Sequence, residues 1–295
     1  MKWMQWYVVT SDTMDWKFEV RRKEDLYLPG VYCPTCDQSG FLIAAAEVPE
    51  PVLPEVRKLL EPYPHEIPRE MMERLWYAME SDASTGKDEA KQVDKEIELF
   101  LSVTPEQFFA IEQTIRRIYN FSPKRLVSPN AGVGPLVVRK GFKPKWDVLC
   151  HGVLGDSLYF SRRAGDELLE AGVTGLELFP VYTRDGKPSE VYEAVVTGYA
   201  GLPSLVSPGG EYFQCPECKR WYLRGDHPLK IRLDESQWDG SDFFHVSSYS
   251  GVYISQRAYE ILNSPFFSTE VWVSLKPMDG TWVHPDFDLA GNLFS

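Results

Sequence analysis

Four of the five cysteines form two matching Cys-Pro-x-Cys pairs that lie far apart in the chain. The first pair is Cys33 and Cys36, and the second is Cys215 and Cys218. A short turn of this kind, here called a knuckle, presents two sulfur atoms to the same point, and two knuckles supply the four ligands of a tetrahedral zinc site. Four thiolates leave no open coordination position, so such a zinc ion is structural and not catalytic. The spacing therefore predicts one structural Zn²⁺ that joins the two knuckles.

Two other interpretations of the cysteine pairs stay open. Thioredoxin-like redox chemistry also uses Cys-x-x-Cys, but it places the first cysteine at the start of a helix, where the helix dipole lowers its pKa. Here the turn residues Asp37 to Gly40 follow the first pair, and the strand-like run Lys219 to Leu223 follows the second. Zinc is therefore favoured over redox chemistry, and knuckles that have lost their metal are the third possibility.

The other sequence patterns typical of enzymes are missing. The five histidines are scattered and form no His-Glu-x-x-His motif, and no Gly-x-Ser-x-Gly nucleophile elbow occurs. The glycines at 132 and 134 lack the Lys-Ser/Thr pair of a phosphate-binding loop. We therefore expect a protein that is not an enzyme.

Charge and aromatic content point to a binding role. The 295 residues carry a net charge of −12, with 9 Trp, 15 Tyr and 16 Phe. Residues 41–120 hold 16 acidic and 9 basic residues, and residues 226–295 hold 10 acidic and 4 basic ones. This balance argues against nucleic acid or an anionic membrane as the partner and favours a basic protein, although plain solubility also explains it. Abundant aromatic residues suit both a core and a protein interface.

The start of the chain predicts a cytoplasmic location. Residues 1–9 resemble a first β-strand and lack the long apolar segment and cleavage site of a signal peptide. No run of roughly 18 apolar residues occurs anywhere, so no membrane span is expected. In the cytoplasm the cysteines are expected to stay reduced.

The pattern along the chain predicts an α+β fold with mixed or antiparallel sheets. A helical segment is expected near residues 69–120, with an exposed loop at 81–91 and a helix that begins after the capping residue Thr104. The C-terminal half contains a weak strand–helix–strand repeat, because residues 158–164 match residues 252–258. We expect an N-terminal lobe over 1–128 and a C-terminal lobe over 129–295, which the zinc joins into one compact unit.

The chain resembles the double-CXXCG motif paralogous family of myxobacteria, the swarming-inhibition type of immunity proteins. The resemblance rests on the two widely separated knuckles, on the turn Pro129-x-x-x-x-Gly134-Pro135-Leu136, and on the run from Phe243 through Tyr253-Ile254-Ser255 to Pro277. Knuckles of that family usually end in glycine, and Asp37 and Lys219 occupy those positions here.

The resemblance implies an immunity protein that binds and neutralises a cognate polymorphic toxin in the cytoplasm of its producer, as in a toxin–antitoxin pair. A nuclease-type toxin carries a basic face, which an acidic inhibitor complements. We expect a monomer, or a 1:1 complex with the toxin. The alternatives are a zinc-stabilised adaptor or scaffold and an enzyme with an unrecognised site. The candidate toxin contacts are acidic and aromatic residues of the second negative segment: Asp234, Glu235, Trp238, Asp239 and Asp242.

Overall fold

The structure is a computed structural model with six α-helices and nineteen strands among the residues it describes. The described residues are 6–11, 20–23, 26–39, 48–64, 67–80, 86–121, 132–150, 158–205, 210–224, 230–233, 235–246, 249–267, 273–278 and 282–283. The helices are α1 (Pro54–Leu60), α2 (Arg69–Glu80), α3 (Gly86–Phe100), α4 (Pro105–Tyr119), α5 (Arg162–Glu170) and α6 (Gln256–Leu262). The strands are β1 (Trp6–Ser11), β2 (Val20–Arg22), β3 (Gly30–Cys33), β4 (Gln38–Ser39), β5 (Ser102–Val103), β6 (Leu136–Val138), β7 (Val148–Cys150), β8 (Leu158–Ser161), β9 (Leu176–Thr183), β10 (Pro188–Val196), β11 (Gly198–Tyr199), β12 (Ser204–Leu205), β13 (Glu211–Gln214), β14 (Trp221–Arg224), β15 (Lys230–Arg232), β16 (Phe243–Val246), β17 (Tyr249–Ile254), β18 (Val273–Met278) and β19 (Trp282–Val283).

The strands form two larger sheets and three small ones. One sheet has the order β11-β16-β17-β1-β18, and the other has the order β2-β6-β9-β10-β8-β7. The small sheets are β12-β15-β19, β13-β14 and β4-β3-β5. Most pairs are antiparallel, while β6 with β9, β11 with β16 and β3 with β5 are parallel. The prediction of an α+β fold with mixed sheets is confirmed.

The helical segment occupies the predicted part of the chain, and its last helix begins as expected. The Thr104 hydroxyl accepts a bond from the Gln107 amide, and the Gln107 side chain accepts one from the Thr104 amide, which completes a capping box. Phe108, Ile111 and Ile115 on α4 are fully buried. Residues 81–85 of the predicted loop lie outside the described residues, and the prediction is wrong for residues 86–91, because α3 begins at Gly86. A glycine costs little at the first position of a helix, and the polar residues that follow it are good helix formers.

The predicted repeat in the C-terminal half is confirmed as two copies of one unit. In each copy a two-stranded hairpin ends in a serine that caps a short helix: β7, β8 and α5 form the first copy, and β16, β17 and α6 form the second. Ser161 accepts a bond from the Ala164 amide, and Ser255 accepts one from the Ala258 amide. A strand follows each helix, β9 in the first copy and β18 in the second.

Each repeat also contains a buried aspartate at the start of its hairpin. Asp147 accepts from the Ser161 hydroxyl at 2.5 Å and pairs with Arg163. In the second copy Asp242 accepts from the Ser255 hydroxyl at 2.7 Å and from Arg257 at 2.6 Å. The same aspartate–serine–arginine arrangement therefore holds each hairpin to its helix.

The two copies share one apolar core and contact each other's helix ends. Phe160 of the first copy and Phe243 of the second pack edge to face, with ring centroids 6.1 Å apart, in a single buried cluster. Arg257 donates to the carbonyl of Gly172 just beyond α5, and Arg163 lies over the ring of Phe267 beyond α6. The repeats therefore stabilise one another.

The first strands of the chain join sheets that are built mainly from the C-terminal half. Strand β1 lies between β17 and β18, and β2 pairs with β6. A buried ion pair between Arg22 of β2 and Glu193 of β10 adds a further connection. The lobe boundary at residue 128 remains a prediction, and these strands cross it.

Candidate metal centre

The two knuckles are presented at the ends of short strands that face each other. Strand β3 ends at Cys33, and the chain turns through Cys36 before β4. Cys215 follows β13, and the turn through Cys218 leads into β14, which pairs back onto β13. Phe108 of α4 packs against this cluster and is 1% exposed, so the helix capped by Thr104 closes one side of the site.

The four sulfur atoms lie close enough together to ligate one ion. The four cysteine Sγ atoms all lie within 4.8 Å of one another. Cys33 Sγ is 3.8 Å from Cys215 Sγ, and Cys36 Sγ is 3.8 Å from Cys218 Sγ. A tetrahedron with Zn–S bonds of about 2.3 Å has edges of about 3.8 Å, so both distances between the knuckles fit a shared zinc ion. They are far longer than the roughly 2.05 Å of a disulfide, and the four cysteines are free thiols.

Both knuckles adopt the backbone geometry that glycine usually provides. Asp37 has φ +53°, and Lys219 has φ +59°. This left-handed conformation costs an ordinary residue about 1–2 kcal/mol, and it costs Asp less because its short side chain can bond locally. It lets the chain fold back, so that the Lys219 amide donates to the Cys215 carbonyl at 3.1 Å and the Cys215 amide donates to the Arg220 carbonyl at 2.9 Å.

Asp37 and Lys219 both make side-chain hydrogen bonds at their turns. The Asp37 carboxylate accepts from the Tyr32 hydroxyl at 2.7 Å and from Lys95 of α3 at 3.1 Å, and these bonds lower the pKa of Asp37. Lys219 donates through Nζ to the carbonyl of Pro216 at 2.5 Å. The bonds of Asp37 therefore tie the first knuckle to helix α3, whereas the bond of Lys219 stays within the second knuckle.

The variable residues of the two motifs also meet. Thr35 of the first Cys-Pro-x-Cys donates a hydrogen bond through its hydroxyl to the carboxylate of Glu217, which holds the same position in the second. This contact joins the two knuckles without a metal, and sequence reasoning missed it. The only hint in the sequence was that Thr35 and Glu217 occupy the same variable position of the two matching motifs.

The surroundings favour ionisation of one thiol in particular. Burial raises the pKa of the Cys215 thiol, but the backbone amides of Cys218 and Glu217 oppose it, and with the thiols of Cys218 and Cys33 they bring that pKa down to about 7. Burial raises the pKa of Cys218. The Cys215 thiol is therefore partly ionised near neutral pH, and a bound cation would favour the thiolate form of the other three cysteines.

The candidate toxin contacts do not share one environment. Glu235 and Asp239 are exposed, and Trp238 is half-buried against Phe244 while its indole donates to the Ser241 carbonyl at 3.0 Å. Asp234 lies outside the described residues.

Asp242, the fifth candidate toxin contact, is buried, unlike Glu235 and Asp239. It is 6% exposed and accepts bonds from the Thr174 amide, Ser255 and Arg257. A buried carboxylate needs such partners, because an unpaired charge is costly in the interior. Asp242 therefore holds the second repeat together and does not present a charge to a partner.

Within the described residues, no helix is both long enough and apolar enough to cross a membrane. No family model matches the chain, and no curated protein matches it either.

Proposed function

We propose that the chain is an immunity protein that binds a cognate polymorphic toxin in the cytoplasm of its producer, carries out no reaction itself, and contains one structural zinc ion. The observation that carries the structural-metal and non-catalytic part of the proposal is the cluster formed by Cys33, Cys36, Cys215 and Cys218, whose separations suit a closed tetrahedral shell. A closed shell supports a fold and leaves no position for a substrate or an activated water.

Two further features support a binding role. The chain is strongly acidic, which suits a basic partner such as a nuclease domain. The resemblance to the double-CXXCG family points to the same function, and the positive φ of Asp37 and Lys219 places them in the conformation that the family's glycines adopt readily.

Co-expression with the product of the neighbouring gene, taken as the candidate toxin, tests the proposal. The expected result is that the chain restores growth of a host expressing the active toxin, and that it purifies with an inactivated toxin as a 1:1 complex by light scattering. A matched control is the Cys33→Ser/Cys215→Ser double variant, which keeps the surface charge and loses two ligands. Continued growth arrest in the presence of folded, zinc-loaded wild-type chain would refute the proposal, and weak binding to many unrelated proteins would favour an adaptor.

Metal content tests the cofactor part separately. Chain purified without added metal and measured by mass spectrometry is expected to hold one zinc per chain. A different metal, or none, would contradict the assignment of zinc without bearing on toxin binding.

A further inference from the structure

Exposed apolar side chains are concentrated on the hairpin formed by α2 and α3. Ten large hydrophobic side chains of the described residues are exposed, and five of them lie in these two helices: Met72, Trp76, Tyr77, Leu99 and Phe100. Trp76 is 63% exposed and Tyr77 is 70% exposed. A contiguous set of exposed aromatic and apolar residues marks an interaction site more often than scattered ones do.

The way the two helices pack directs these residues outward. Arg74 of α2 pairs with Glu96 of α3 at 2.7 Å, and the two helices pack side by side. Val93 on α3 is fully buried and Ala78 on α2 is 3% exposed, so each of the two helices has a covered side. Trp76 and Tyr77 lie beside Ala78 in sequence but at other angles around α2, and they stay in solvent.

The hairpin is also a firm support for an interface. Helix α3 packs on the strand that leads to Cys33, and Lys95 of α3 bonds to Asp37 in the first knuckle at 3.1 Å. Trp76 and Tyr77 lie on α2, which packs against α3, the helix that contacts the first knuckle. Pre-organised aromatic residues lose little entropy on binding, which is why Trp and Tyr are common among the residues that dominate interface energies.

The charge of the hairpin selects the kind of partner. Residues 69–100 contain nine acidic and five basic residues. Glu70, Glu89 and Asp94 are exposed, while Arg69, Arg74 and Lys95 are already paired with acidic side chains. The two helices therefore carry an excess of negative charge, which complements a basic protein surface.

From this combination we infer that the outer face of the α2–α3 hairpin is the docking surface for a basic protein, with Trp76 and Tyr77 at its centre. The inference rests on the proposed function, since it takes the partner to be the toxin. It places binding on the first acidic segment of the chain, away from Glu235, Trp238 and Asp239.

The affinity of purified variants for the inactivated toxin tests this surface. Trp76→Ala and Tyr77→Ala are each expected to raise the Kd at least about 30-fold, as expected for central interface residues. Phe266→Ala is the matched control, because Phe266 is 73% exposed but lies outside the hairpin, and its Kd is expected to stay within about 2-fold of wild type. All three residues are exposed, so circular dichroism and melting temperature should show intact folds.

Two further experiments distinguish the hairpin from the competing surface at Glu235 and Asp239, and distinguish failure of the docking surface from failure of the proposed function. Glu235→Lys/Asp239→Lys is expected to bind like wild type; loss of binding there, with Trp76→Ala unaffected, would overturn the hairpin as the docking surface and leave the immunity function standing. A benzophenone amino acid at position 76 should cross-link to the toxin in producing cells, and one at position 266 should not. Wild-type chain that neither binds nor rescues overturns both proposals together.

Discussion

The two knuckle residues with positive φ should respond differently to the same substitution. Lys219→Gly replaces a residue for which φ +59° is unfavourable with one that adopts this backbone conformation readily. Relief of that conformation is worth about 1–2 kcal/mol, and the greater freedom of glycine in the unfolded chain offsets about 0.4–1 kcal/mol of it. The exposed bond from Lys219 to Pro216 contributes little. Lys219→Gly is therefore expected to stabilise the protein by about 0.5–1 kcal/mol.

Asp37→Gly should not bring this gain. Asp tolerates the left-handed conformation better than Lys does, so less strain is relieved. The substitution also removes the carboxylate that accepts from Tyr32 at 2.7 Å and from Lys95 at 3.1 Å. We expect Asp37→Gly to lower stability or leave it unchanged, although glycine is the usual residue at that position in the family that the chain resembles.

Thermal unfolding of the metal-loaded protein measures both effects. Lys219→Gly is expected to raise Tm by about 1–3 °C for a chain of this size. Lys219→Ala is the control, because it removes the same side chain but keeps the strained backbone, and it should bring no gain. Metal content measured in parallel shows that no ligand has been lost. An equal gain for Asp37→Gly and Lys219→Gly, or a gain for Lys219→Ala, would refute the reasoning.

Three other predictions concern the metal, the repeat and the hairpin. Cys215→Ser should abolish stoichiometric zinc binding and lower the temperature of unfolding, and retention of one zinc per chain by metal analysis would contradict the four-cysteine site. Asp242→Ala should cost about 2–4 kcal/mol in chemical denaturation because it leaves buried donors unpaired, while Asp239→Ala should cost less than about 1 kcal/mol; similar values for the two would argue against the role given to Asp242. The hydrogen bond from Arg74 lowers the pKa of Glu96, so the stabilisation from this pair is present above the ordinary carboxyl pKa and is lost as the pH falls through the lowered one. Arg74→Ala should return the pKa of Glu96 towards its ordinary value in a carboxyl NMR titration, and an unchanged pKa would count against the pairing.

Local signals in the sequence were sufficient for some elements. The Thr104 cap, the proline that follows it and the apolar stripe of α4 act over a few residues, so the start of this helix could be predicted. The Cys-Pro-x-Cys spacing of each pair is visible in the sequence, and the two knuckles do meet. The repeat was visible because Ser161 and Ser255 stand at equal places between matching strands and helices.

Long-range contacts explain what the sequence could not show. Asp147 lies 14 residues before its serine and Asp242 lies 13 before its own, so an alignment of the repeats does not bring the two aspartates together. Asp242 was grouped with exposed neighbours because burial depends on Thr174 and Arg257, which are distant in the chain. The sequence did not reveal the hairpin surface, because the residues next to Trp76 in the chain do not determine whether its side chain is exposed or buried.

The separation of the two knuckles has a consequence for synthesis on the ribosome. Cys33 and Cys215 are 182 residues apart, which at about 5–20 residues per second corresponds to about 10–40 s of translation. Strand β1 must wait longer still, since its partners β17 and β18 follow both knuckles in the chain. The nascent chain therefore carries a half-complete metal site until Cys218 has emerged, and an unpaired β1 until β17 and β18 have followed.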